Sequence, residues 1–144
     1  MFELSEPTTD AEFEVYYDFR WRQLREPWDM PRGTERDELE DDSVHVAARL
    51  DSGEIVGVGR LHRTDQGDAQ IRYMATDESL RGAGIGRAIV KYLEQVARKR
   101  GMTRIIINAR ENAIAFYEKL GYQIFDDSPT LIGTIKHKLM HKQL

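Results

Sequence analysis

The sequence predicts a single mixed α/β domain, a sheet with helices on its faces. Three observations carry this. The apolar period switches repeatedly between three-to-four and two along 144 residues, a length that suits one compact domain. Three strand patterns follow one another with connections too short for parallel crossovers, so they form an antiparallel meander. Two later strand patterns are each preceded by a helical one, as in sheets covered by helices.

Phe2 and Leu4 alternate with polar neighbours as a short edge strand that stops at Pro7. From Thr9 or Asp10, either of which can cap a helix, Phe13, Tyr16, Tyr17, Trp21 and Leu24 recur on one face until Pro27. Residues 26–33, with Pro27, Pro31 and Gly33, read as a loop. A short acidic helix is expected over 34–40, with Thr34 as its cap. Val44, Val46 and Ala48 then alternate as a strand, the turn 51–53 leads to a second strand over 55–62, and 69–76 is a third. Ile85, Ile89, Tyr92 or Leu93, and Val96 mark a long helix closed by Arg98, Lys99, Arg100 and Gly101. Ile105, Ile106 and Ile107 form an apolar run without alternation inside 104–108, the pattern of a central strand buried on both faces. Ala113, Phe116, Tyr117 and Leu120 line a second amphipathic helix over 113–120, stopped by Gly121. Residues 123–125 and 131–139 are the last two strands, around a turn at 126–129.

Composition excludes several functions. With 21 basic and 25 acidic residues the net charge is −4, which argues against a general nucleic-acid binder and its basic stripe. No basic amphipathic face suits a membrane surface. The absence of cysteine removes disulfide scaffolds, thiolate-held zinc, iron–sulfur sites and a cysteine nucleophile. His137 and His141, four apart with lysines around them, do not make a metal site. No apolar run approaches the ~20 residues that span a bilayer, and Met1 to Asp10 carry no signal pattern, so a cytoplasmic protein is expected.

The sharpest chemical feature is Leu80-Arg81-Gly82-Ala83-Gly84-Ile85-Gly86-Arg87, between a predicted strand and a predicted helix. Three glycines in five residues let the backbone come close to a ligand. The unpaired N–H groups of the first helical turn then suit a phosphate or pyrophosphate, aided by Arg81 and Arg87. The spacing is neither that of a dinucleotide fingerprint nor, without Gly-Lys-Ser/Thr, that of a Walker loop. A plain tight turn is the bland alternative. A second block runs from Asn112 through Tyr117 to Tyr122; alone, it reads as a helix cap and a core aromatic.

Together the two blocks resemble the GCN5-related N-acetyltransferase (GNAT) family. Arg81, Gly84 and Gly86 match its R-x-x-G-x-G signature, and Asn112, Ala115, Tyr117, Lys119, Gly121 and Tyr122 match its second block. The resemblance covers roughly residues 44–140. It implies a mostly antiparallel central sheet of about six to seven strands flanked by helices, with the fourth and fifth strands, here 71–76 and 104–108, splayed apart. It implies acetyl-CoA as co-substrate and no metal. The pyrophosphate would lie on Arg81, Gly82, Ala83, Gly84, Ile85, Gly86 and Arg87. The pantetheine arm would run along Met74, Ala75 and Thr76 like an added strand and bond Asn112. Tyr117 would protonate the departing thiolate.

The N-terminal stretch from Tyr16 to Pro27, followed by Gly33-Thr34-Glu35-Arg36-Asp37, is also similar to the acetyltransferase domain of bacterial two-domain proteins whose second domain is a hot-dog, thioesterase-like module. No such second domain is expected within 144 residues.

Acyl transfer needs a neutral amine, a polarised carbonyl and a departing sulfur. A strand N–H at 74–76 can polarise the carbonyl, and a tyrosine, with a free pKa near ~10, is protonated and able to donate at neutral pH. The base is open: Glu35, Asp37 or another group through water, with Asp77 and Glu78 expected in solvent. The acidic run 35–42 reads as a solvated helix face or a lure for a cationic acceptor. Arg20, Arg22 and Arg25 are either exposed or receivers of an anionic acceptor. The expected partner is a small-molecule or peptide amine, with no nucleic acid and no membrane, and the resemblance allows a homodimer. The rival readings are a non-catalytic acyl-CoA-binding regulatory module and a subunit partnering a thioesterase-like domain.

Overall fold

The computed structural model describes residues 1–128 and 136–144. Seven strands make one sheet in the order β1-β2-β3-β4-β5-β7-β6. β1 (Phe2–Ser5), β2 (Val44–Leu50), β3 (Ile55–Arg63) and β4 (Ala69–Thr76) are successive antiparallel neighbours, the expected meander extended by the edge strand. β5 (Arg104–Arg110) lies parallel to β4, the geometry that the crossover helix α2 (Ile85–Lys99) permits. β7 (His137–Gln143) is inserted antiparallel between β5 and β6 (Gln123–Ser128). Of the strand expected over 131–139, residues 131–135 lie outside the described residues, as does Pro129 of the turn before it. Among the described residues, no helix is long and apolar enough to cross a membrane.

The two faces of the sheet are covered by different helices. α1 (Asp10–Leu24) starts at Thr9, whose hydroxyl accepts from the Glu12 N–H while the Glu12 carboxylate accepts from the Thr9 N–H, a reciprocal cap. It buries Tyr16 and Phe19 against Ala47, Ile55 and Val58. α2 covers the opposite face with Ile85, Ile89, Val90, Leu93 and Ala97, against Val46, Ala48, Leu61, Ile71, Ile105 and Ile107. Its close approach depends on Gly57, where a Cβ would stand 2.6 Å from Ile85 Cγ2 and 2.9 Å from Ile89 Cδ1.

Three expectations are corrected. No helix spans 34–40; turns lead instead to a short 3₁₀ segment, Glu40–Asp42. The carboxylates of Asp37 and Glu40 are drawn inward to buried arginines, and that geometry replaces a solvated helix face. The buried line of α1 includes Arg20 beside Tyr16 and Phe19, whereas Trp21 and Leu24 are only partly buried. β5 alternates: Ile105, Ile107 and Ala109 are buried among the α2-side core, while Arg104, Ile106, Asn108 and Arg110 are partly exposed.

β4 and β5 form a fork. They pair only where Ala69, Gln70 and Ile71 face Ile105, Ile106 and Ile107. Beyond Ile71, β4 has no register partner on β5, as the expected splay requires. At the same level the β3–β4 register slips between Val58 and Arg60, and Tyr73 takes a left-handed backbone, φ +56°. The Tyr16 hydroxyl donates to the Gly59 carbonyl at 3.1 Å beside this bulge.

Candidate functional site

The loop singled out in the sequence does leave amides free. After Thr76, the Asp77 carboxylate caps a 3₁₀ turn, Glu78–Leu80, by accepting from the Ser79 N–H at 2.9 Å. Gly82 and Gly84 then take φ +89° and +82°, where side chains are strained. Gly84 sits at the N-cap of α2 and has no side chain to satisfy the first amides of the helix. Among the described residues, the N–H groups of Gly82, Gly84, Ile85, Gly86 and Arg87 have no backbone acceptor. The amides of Arg81 and Ala83 are used, donating to Glu78 and Leu80 carbonyls at 3.1 Å. A Cβ at Gly82 or Gly84 would meet nothing within 4 Å, so the loop faces open space. Arg81 and Arg87 are exposed beside it.

Gly86 joins the loop to the other elements of the second block. A Cβ there would stand 3.1 Å from the Phe116 ring and 3.6 Å from Thr76 Cγ2, so the ends of β4, α2 and α3 (Ile114–Lys119) converge. Met74, Ala75 and Thr76 are partly buried, on the stretch of β4 that has left β5. Tyr117 follows Phe116, with ring centroids 5.0 Å apart, and packs edge-on to Tyr122 at 5.8 Å. Its side chain is 6% exposed, and burial pushes the phenol well above its ordinary value, so it carries its proton throughout the physiological range. Asn112 lies exposed on the 3₁₀ turn Glu111–Ala113. It is not the helix cap expected from the sequence: the turn runs straight into α3, whose N-cap position is Ala113 without a side-chain cap bond.

The opposite face of the fork holds a charged cluster that sequence reasoning did not assemble. Arg60 of β3 is fully buried and reaches Asp37 through both terminal nitrogens, at 2.7 and 3.0 Å, and Glu40 at 2.7 Å. Arg20, also fully buried rather than exposed, donates to Glu40 at 3.0 Å, to the Glu35 carbonyl at 2.9 Å and to the Tyr16 hydroxyl at 3.1 Å. Arg72 adds a contact to Asp37 at 2.8 Å. Tyr73 lies among them, with the guanidinium carbons of Arg20, Arg72, Arg60 and Arg25 at 4.3, 4.6, 4.9 and 5.6 Å from its ring centre. Burial alone would raise the Asp37 pKa, but hydrogen bonds from Arg60 and the Leu39 N–H, with the charges of Arg60 and Arg72, pull it down to about 2. Burial also lowers His45 and His62, so both are neutral near pH 7. Asp37, locked as an ionised partner of two arginines, is thus a poor candidate base. The Glu35 carboxylate accepts from the Gly33 N–H at 2.7 Å and from Arg36 at 3.0 Å. The sequence signal for this cluster was Arg20 one turn after Tyr16, a polar residue on a buried stripe.

The model of the acetyltransferase (GNAT) family matches residues 13–122. An uncharacterized N-acetyltransferase, YjcF, of Bacillus subtilis is 35% identical over 113 residues, which is 78% of this chain and 79% of that protein. The crystal structure of a Lactobacillus plantarum protein assigned as an N-acetyltransferase superposes with a TM-score of 0.85 at 24% identity, covering 99% of this chain and 98% of the other. An aminoglycoside 6'-N-acetyltransferase complexed with coenzyme A superposes with a TM-score of 0.78 at 19% identity, covering 98% and 96%.

Proposed function

Because the chain belongs to the acetyltransferase (GNAT) family and is an acyl-CoA-dependent N-acyltransferase, we propose that the loop at 82–87 holds the donor's pyrophosphate and that Tyr117 serves the departing sulfur. One observation carries the reading: five amides without a backbone acceptor cluster at a helix start that touches both the free stretch of β4 and the residue next to Tyr117, and at Gly82 and Gly84 the loop faces open space. Arg81 and Arg87 add positive charge to this anion cradle. Met74, Ala75 and Thr76 offer a strand edge that β5 has vacated, suited to pairing with an amide-bearing arm.

The donor supplies an acyl group activated as a thioester. In direct transfer a C–N bond forms as the C–S bond breaks, one proton leaves the amine and one reaches the sulfur. With the arm paired to β4, a backbone N–H at 74–76 would polarise the carbonyl and favour the charge that develops on its oxygen. Tyr117 keeps its proton because burial disfavours the phenolate, so it can deliver that proton to the thiolate. Asn112, exposed on the turn before α3, is free to bond the arm. The acceptor is an amine. Calorimetry with coenzyme A, followed by thiol release from acetyl-CoA in the presence of pooled amines, tests this reading. No binding would overturn it.

A further inference from the structure

The charge arrangement on the α1 side of the fork is unbalanced. Two carboxylates, Asp37 and Glu40, serve three guanidiniums, those of Arg20, Arg60 and Arg72. Glu35, the other acid nearby, is paired with Arg36. Arg25 and Arg110 have no carboxylate partner among the described residues. Arg25 is partly buried at the end of α1 and spends Nε and Nη1 on the carbonyls of Thr34 and Leu24, at 3.0 and 3.1 Å. Its third nitrogen has no protein acceptor among the described residues. Arg110 is partly buried near the end of β5; its guanidinium makes no hydrogen bond to a described residue, and the Arg25 charge repels it. Burial is the largest cause that disfavours the charged form of each; the Arg25 charge adds to it at Arg110, and Arg72 and Arg20 add to it at Arg25, where Tyr73 and Glu35 offset it in part. Two half-buried, mutually repelling guanidiniums are costly unless an anion joins them.

Their position gives that anion a purpose. Strand alternation puts Arg110 and Asn108 on one face of β5, opposite Ile107 and Ala109 of the α2-side core. Arg72 and Tyr73 lie on the same face of β4, and Arg25 is stacked over the Tyr73 ring. All five therefore border the fork from the side away from the phosphate-cradling loop. The Asn108 Oδ1 is buried without a hydrogen-bond partner, an acceptor placed to receive an amine N–H.

We infer that the acceptor is a small primary amine bearing a carboxylate or phosphate, whose anionic group is held by Arg25 and Arg110 while its amine is directed to Asn108 at the fork. This deepens the acyltransferase reading above and rests on it. A cationic amine such as a polyamine is disfavoured here by Arg25 and Arg110, which have no carboxylate partner among the described residues.

A matched series with coenzyme A or acetyl-CoA present tests it: ethanolamine, β-alanine and phosphoethanolamine, each measured for thermal-shift binding and for thiol release. β-Alanine or phosphoethanolamine should bind and react at least about tenfold better than ethanolamine, the smaller part of a charge-assisted hydrogen bond. Which of the two is preferred separates a carboxylate acceptor from a phosphorylated one. Arg110→Gln should erase the preference with a 10- to 100-fold rise in KM, about the value of such a bond, while coenzyme A affinity stays unchanged. Arg110→Lys should restore part of it. Coenzyme A binding with no preference for the anionic amines, or an unaltered preference in Arg110→Gln, would overturn the inference and leave the acyltransferase reading standing. Loss of coenzyme A binding to the unaltered protein would instead overturn that reading, and the inference with it.

Discussion

The two terminal nitrogens of Arg60 meet the two carboxylate oxygens of Asp37 at 2.7 and 3.0 Å, a fork-to-fork pair that fastens the segment before β2 to the middle of the sheet. Arg60 is wholly shielded from solvent, so its charge depends on the partners the loop brings. Asp37→Asn keeps the shape and removes the charge. Breaking a buried pair costs about 3–5 kcal/mol, and the low end is expected because Glu40 remains at 2.7 Å. Urea denaturation at pH 7 checks it.

The same pair sets an acid limit. The Asp37 carboxyl lies lower in the folded chain, about 2, than its ordinary 3.8, so the unfolded chain binds the proton more readily between those values. Its contribution to stability is complete above 3.8 and is lost as pH falls toward about 2. Melting temperature followed through that window should drop more steeply for the unaltered protein than for Asp37→Asn.

Gly84→Ala tests the anion cradle. The added Cβ meets no protein atom within 4 Å, so it would stand in the open space through which the proposed diphosphate must approach the loop. Coenzyme A affinity should fall by about tenfold or more, the equivalent of ~1.4 kcal/mol. The left-handed backbone at φ +82° should itself cost about 1–2 kcal/mol of stability. Calorimetry and denaturation on the same protein separate the two effects; unchanged affinity in a folded variant would remove the loop from the donor site.

Tyr117→Phe keeps the ring against Phe116 and Tyr122 and removes only the hydroxyl. Since that hydroxyl bonds no other described residue, stability should change by less than the ~1 kcal/mol of a typical hydrogen bond. Loss of a general acid lowers kcat by about 10²–10⁴-fold. Near-normal kcat with unchanged coenzyme A affinity would make Tyr117 a packing residue.

Gly57→Ala probes the helix that carries the loop. Its Cβ would lie 2.6 Å from Ile85 Cγ2, at the first turn of α2, so helix and strand must separate. A loss of about 1–3 kcal/mol is expected from such overpacking, with weaker coenzyme A binding because Ile85 and Gly86 move with the loop. Denaturation and calorimetry report both.

Local chemistry made much of this legible in the sequence. The start of α1 at Thr9 or Asp10, the bounds of β4 and the glycine loop depend on residues close together in the chain, and periodicity or spacing reveals them; of the two possible caps the structure uses Thr9, with Glu12 reciprocating. The arginine cluster was hidden because Arg20 finds Glu40 twenty positions later and Arg60 finds Asp37 twenty-three positions earlier. Read alone, the acids suited a solvated face or a cationic acceptor, and the arginine suited exposure or an anionic acceptor; neither reading pairs them with each other. Tyr73 was hidden for another reason: a bulky residue with φ +56° has no compositional mark, unlike a glycine turn.

The bulge at Tyr73 also reverses the parity of β4. Arg72 and Tyr73 both serve the α1 side, and only because of that doubled step do Met74 and Thr76 reach the α2 side, near Gly59 and Gly86, while Ala75 packs with the α1-side core. Drawing the same residues into regular alternation, with Tyr73 turned to the α2 side, would exchange the two surfaces for the rest of the strand. Ala75 would then face α2, and Met74 and Thr76 the α1 side. One extra residue thus decides which side chains of 74–76 share a face with the glycine loop and which with the arginine cluster.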